Sequence, residues 1–205
     1  GKFPKNPGHK INLGRFYLQT GQPDKAEAYF LEAMQDDPHE PDLYLILAQF
    51  YLHQGEVERA REILLQSREN NPDKIQPLLN LAELHQGMNQ HQQTLEYYLE
   101  AEEKFPEDIR PSKSLAEIYF QRDDTREADL RIRKVLKAER NDAPMLVLKS
   151  RRHLQEGEAE QAREALERAV TSHPEHADAH FFLALTRFSL GDMHQAQGSL
   201  ESALR

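Results

Sequence analysis

The apolar positions of this chain recur with helical spacing, in short runs broken by turn residues. Leu13, Phe16 and Tyr17 form one such run, and Ala26, Phe30 and Ala33 form the next. Between the two lies "TGQPD", a tight turn in which Gly21 is suited to ending a helix and Pro23 to starting one. The second run closes at Pro38, since the residue before a proline avoids the helical region. The pattern predicts two antiparallel helices joined by a tight turn.

That unit is written again and again. Pro38, Pro72, Pro106 and Pro174 are separated by 34 residues or twice that number. Steps of 34 also align a small column at Gly14, Ala48, Ala82, Ala116, Ser150 and Ala184. A second small column reads Ala26, Ala60, Thr94, Ala128, Ala162 and Ala196, and a third Ala33, Ser67, Ala101, Val135, Ala169 and Ala203. A large apolar column reads Phe30, Leu64, Tyr98, Ile132, Leu166 and Leu200. Six units fit without insertion: 7–40, 41–74, 75–108, 109–142, 143–176 and 177–205. Small residues let two helices cross closely, and the large neighbour fills the space beside the crossing.

The period, these columns, Tyr17, Tyr51 and Tyr119, and the closing proline together resemble the tetratricopeptide repeat (TPR) family over residues 7–205. The resemblance implies an all-α, right-handed solenoid of antiparallel helix pairs. Two units depart from the pattern. Arg140 replaces the closing proline, and Lys149 with Ser150 replaces an apolar-small pair, which predicts looser packing there. Pro4 stands one period before Pro38, so residues 1–6 read as the tail of a preceding unit. No polar capping helix follows the last unit, so the chain reads as a segment of a longer array whose uncapped ends could associate end to end. "LVLKSRR" at 146–152 and the Gln-rich turns are similar to bacterial arrays that serve polysaccharide export or pilus assembly.

The resemblance also implies a groove lined by the first helix of each unit, binding a partner peptide or helix. The residues it places there include Arg15, Leu45, Ile46, Gln49, Leu79, Asn80, Glu83, Arg110, Lys113, Glu117, Val147, Leu148, Arg151, Phe181 and Phe182. Such a surface suits an extended or helical segment with apolar anchors and one acidic stretch. Set beside that is the plainer reading, in which the apolar members pack against the next unit and the cations form a solvated face. Residues that clamp a C-terminal carboxylate in chaperone-binding relatives are not reproduced here, nor is the asparagine ladder of the family's sugar transferase, because apolar residues interrupt the column of Asn12 and Asn80.

Charge modifies the picture locally. The net charge of −9 argues against nucleic acid as the main partner. Residues 109–152 nevertheless hold 12 Lys/Arg against 7 Asp/Glu, a local +5, while the remaining 14 against 28 give −14. No apolar run is long enough to span a membrane. There is no basic-apolar leader either, so cytoplasm and bacterial periplasm both remain open. Zero cysteines exclude disulfides and thiolate metal sites.

Catalytic motifs are not found: no phosphate loop, nucleophile elbow or HExxH occurs. His173, His176 and His180 are the most suggestive cluster, but the run straddles a proline turn. His180 also occupies a position held by Tyr44, Leu78 and Leu146 elsewhere, which predicts a packing role. Asp36/Asp37 and Asp123/Asp124 fall at predicted turns or helix ends, where Asp caps. The expectation is a protein-binding scaffold that is not an enzyme and has no cofactor and no metal. The alternatives are a scaffold segment of a larger bacterial envelope protein, or a regulatory module of a multidomain enzyme.

Overall fold

A computed structural model describes residues 7–204, and the reading of residues 1–6 as the tail of a preceding unit lies outside them. Among the described residues the chain forms twelve α-helices and no strand. They divide into two compact units, 1–105 and 106–205. The first holds α1 (Pro7–Gln19), α2 (Pro23–Asp36), α3 (Pro41–His53), α4 (Val57–Asn70), α5 (Gln76–Gly87) and α6 (His91–Lys104). The second holds α7 (Arg110–Gln121), α8 (Thr125–Ala138), α9 (Ala143–Gln155), α10 (Ala159–Ser172), α11 (Ala177–Ser189) and α12 (Met193–Ala203).

Each unit contains three helical hairpins: α1/α2, α3/α4 and α5/α6 in the first, α7/α8, α9/α10 and α11/α12 in the second. Consecutive hairpins also pack, α2 on α3 and α4 on α5 in the first unit, and α8 on α9 and α10 on α11 in the second. The first helices touch each other as well, α3 with α5, α7 with α9 and α9 with α11. This is an all-α helical-repeat fold. One hairpin cannot bury its own apolar face, so the core runs from hairpin to hairpin. In the first unit it joins Ile11, Phe30, Leu47, Tyr51, Leu64 and Leu81.

The small columns lie where the helices cross. Ala26, Ala60, Ala128 and Ala162 are fully buried, as are Ala33, Ser67, Ala101, Val135 and Ala169. A Cβ built on Gly14 would overlap the Phe30 ring, so the only glycine of its column faces the only phenylalanine of the partner column.

The turns are set by backbone conformation. Gly21, Gly55, Gly157 and Gly191 all have positive φ, between 71° and 88°. Asn89 and Asp123 take the same position in their units, at φ 57° and 58°. These are the residue types that tolerate the left-handed region best after glycine. The helix starts are also chosen by residue type. Proline stands in the first turns of α2, α3, α5, α7 and α9, where a missing N–H costs little. Asp124 and Asp142 accept from the backbone N–H of Glu127 and Met145.

Candidate binding groove on the first helices

In the second unit, α7, α9 and α11 together form a pocket of about 300 Å³ lined by Glu117, Phe120, Gln121, Pro144, Val147, Leu148, Arg151, His176, Asp178 and Phe182. Five of the residues singled out from the sequence meet here: Glu117, Val147, Leu148, Arg151 and Phe182. They converge because they sit on successive first helices, one period or one helical turn apart.

Arg151 is the centre of the site. Its guanidinium lies 4.4 Å from the Phe120 ring centroid and 5.2 Å from that of Phe182. Both separations are within cation–π range, so two aromatic faces hold the cation without neutralising it. Arg151 makes no ion pair among the described residues. Phe182 in turn meets Phe181 edge to face at 5.3 Å. Val147 and Leu148 are buried and form the apolar floor.

The acid of the site is Glu117. Its pKa is raised, first because surrounding protein removes water from the carboxylate, and second because Asp142 adds like charge. Asp178 contributes another carboxylate to the lining. The pocket therefore combines one uncommitted cation, aromatic faces and an acidic rim.

The other two cations behave differently. Lys113 binds Glu139 at 2.5 Å and Asp142 at 2.7 Å. Burial pulls its pKa down, but these two carboxylates outweigh that effect and hold it above the ordinary lysine value. Arg110 pairs with Asp108 at 2.7 Å and also receives its backbone cap, holding that carboxyl below its usual range. Arg110 ties the loop before α7 to the start of that helix, and Lys113, also on α7, ties the loop before α9 to α7. Phe181 points elsewhere and lines an apolar hollow on α11 and α12.

In the first unit Arg15, Gln49 and Glu83 are exposed, and Leu45 and Ile46 are half-buried. Leu79 and Asn80 are buried. Asn80 accepts from Gln76 at 2.9 Å, and its own amide nitrogen has no partner among the described residues.

The histidine run resolves into local structure. His176 caps α11 by accepting from the Ala179 N–H at 3.2 Å. His180 donates from Nε2 to the Pro174 carbonyl at 2.7 Å. Tyr44, four periods earlier, makes the same bond to Pro38 at 2.9 Å. A different group could hold a cation: ligand atoms of His153, Glu156 and Glu158 lie within 4.8 Å of one another. All three are already engaged, since His153 donates to Glu158 at 2.7 Å and Arg152 to Glu156 at 2.7 Å. The spacing in "HLQEGE" was its one sequence signal.

Family models described as "Tetratricopeptide repeat" match residues 10–39, 26–84 and 147–205. No curated protein sequence matches significantly. Among solved structures, Pseudomonas aeruginosa pilF is similar with a TM-score of 0.73 and 20% identity, over 94% of this chain and 88% of that one. PilW, described as a type IV pilus biogenesis factor, matches at TM-score 0.67 and 17% identity, covering 97% and 98%. YrrB, described as having an unusual peptide-binding site, matches at 0.62 and 15%, covering 85% and 90%. At these identities the likeness is one of fold.

Proposed function

The chain belongs to the tetratricopeptide repeat family, whose fold generally supports protein–protein interaction, and we propose that it seats one segment of a partner protein across α7, α9 and α11. The observation that carries this reading is Arg151, held between Phe120 and Phe182 over an apolar floor without an ion pair. A site built this way takes a peptide or helix that presents an apolar or aromatic anchor followed by a carboxylate. The anchor covers Val147 and Phe182, and the carboxylate meets the guanidinium. Because Lys113 and Arg110 bind acids of the chain itself, one partner carboxylate suffices and an extended acidic stretch is not required.

Peptide display against the intact protein tests the proposal. Selected segments should combine an apolar residue with Asp or Glu. Their affinity should drop about tenfold or more in Arg151→Glu and in Phe182→Ala, the loss typical of central anchors. Selected peptides that bind both variants as tightly as the parent would reject the groove.

A second reading is favoured by one observation, the end-to-end fold match with pilF and PilW, which covers most of both chains. In that reading the scaffold serves assembly in a bacterial envelope, such as pilus biogenesis. Deleting the gene in the source cell and scoring surface pili separates the two, since normal pili would remove this reading and leave the groove untouched.

A further inference from the structure

A second cavity of about 370 Å³ opens between α8 and α9, and it shares no lining residue with the groove above. It exists at the position where the repeat pattern breaks. Leucine occupies this register position in the five other units; Leu47, Leu81, Leu115 and Leu183 are essentially fully buried, and Leu13, in the first unit, is exposed. In the fifth unit the position is Lys149, which is only half-buried and lines the cavity. A leucine there would be a plug, whereas the lysine amine must stay near water and leaves the space open.

The charges around the opening are unbalanced. Arg133 and Lys137 from α8 join Lys149 and Arg152 from α9. The two carboxylates of the lining, Asp129 and Glu156, both face Arg152, at 3.4 Å and 2.7 Å. His153 is engaged by Glu158. Arg133, Lys137 and Lys149 make no ion pair among the described residues. Three uncommitted cations thus surround a hollow whose remaining wall is Ile132 and Leu136.

We propose that this cavity binds a phosphate monoester. Three cations face a ligand that carries close to two negative charges and several strong acceptor oxygens. A single carboxylate would leave the site under-neutralised, and the apolar wall favours an organic ester over inorganic phosphate. The ester group can belong to a free small molecule or to a phosphorylated side chain. The chemistry of recognition is the same.

Titrations of the isotope-labelled protein at low salt, followed by NMR, test the assignment with phenyl phosphate, inorganic phosphate and a phosphotyrosine peptide. Phenyl phosphate should give saturable shifts at residues 129–137 and 149–156, and inorganic phosphate should bind more weakly. Lys149→Leu restores the residue used by the sister units, so it should fold normally while weakening phenyl phosphate binding by about tenfold or more, the worth of one charge-assisted bond. Lys149→Arg should keep binding. A peptide that binds more tightly than phenyl phosphate identifies a phosphorylated partner, and one that binds no more tightly identifies a free ester. The proposal is overturned if shifts fail to saturate, scatter over other lysines, or persist unchanged in Lys149→Leu.

Discussion

Replacing Gly14 with alanine sets two effects of known sign against each other. In a helix interior the change relieves the entropy cost of glycine and should stabilise by about 0.5–1 kcal/mol. The structure opposes it. The added Cβ would lie 2.6 Å from Phe30 Cδ1 and 2.9 Å from Cζ, with Cε1 closer still. Real carbon contacts do not occur at such separations, and Phe30 is 2% exposed, so its ring has no open space to enter. Overpacking of this kind costs about 1–3 kcal/mol. The net expectation is a loss of about 1–2 kcal/mol, or roughly 2–8 °C in melting temperature for a chain of this size. The neighbouring unit pairs Ala48 with Leu64, so Gly14→Ala combined with Phe30→Leu should lose less than the sum of the two single changes. Urea unfolding followed by far-UV circular dichroism, with hydrogen exchange on α1 and α2, measures both. A Gly14→Ala protein as stable as the parent, or strictly additive effects in the double variant, would refute the steric argument.

Other consequences can be checked directly. Gly55 adopts φ 78° with nothing near its missing Cβ, so Gly55→Ala should cost about 1 kcal/mol from backbone strain alone, whereas Asp123→Gly should be neutral or stabilising by urea melt. Glu117 has a raised pKa, so its ionisation opposes folding above that pKa, and the penalty disappears as pH falls below the ordinary carboxylate value. Glu117→Gln should therefore raise the melting temperature near neutral pH and converge with the parent in acid. A difference that grows on acidification would contradict this. The hollow on α11 and α12 exposes Phe181, Leu185, Phe188, Met193 and Leu200, while Leu13 and Phe16 are exposed on α1. Docking of one copy's α1 on another's hollow should give concentration-dependent sedimentation that Phe188→Glu abolishes, and a parent that stays monomeric throughout would rule it out.

Sequence periodicity by itself determined the repeated unit, a pair of antiparallel helices written every 34 residues, and the resemblance carried by its columns implied the all-α stack. It also located the crossings, since alanine and serine columns are informative only where helices approach closely. The turn column was half legible. Gly21 and Gly55 announced it, but Asn89 and Asp123 read as ordinary polar residues until their positive φ placed them in the same position. The site was less legible still. Sequence grouped Arg110, Lys113 and Arg151 as one cationic surface, because spacing reports which face a residue occupies and not whom it meets there. Tertiary structure separated them: Arg110 and Lys113 bind Asp108, Glu139 and Asp142, while Arg151 rests between two aromatic rings. Lys149 shows the same division. Its departure from the pattern was visible in the sequence, but only the packing of α8 against α9 turned a missing leucine into a cation-lined cavity. Local spacing encodes helices and their buried faces; the pairing of charges depends on distances across helices that no spacing along the chain contains.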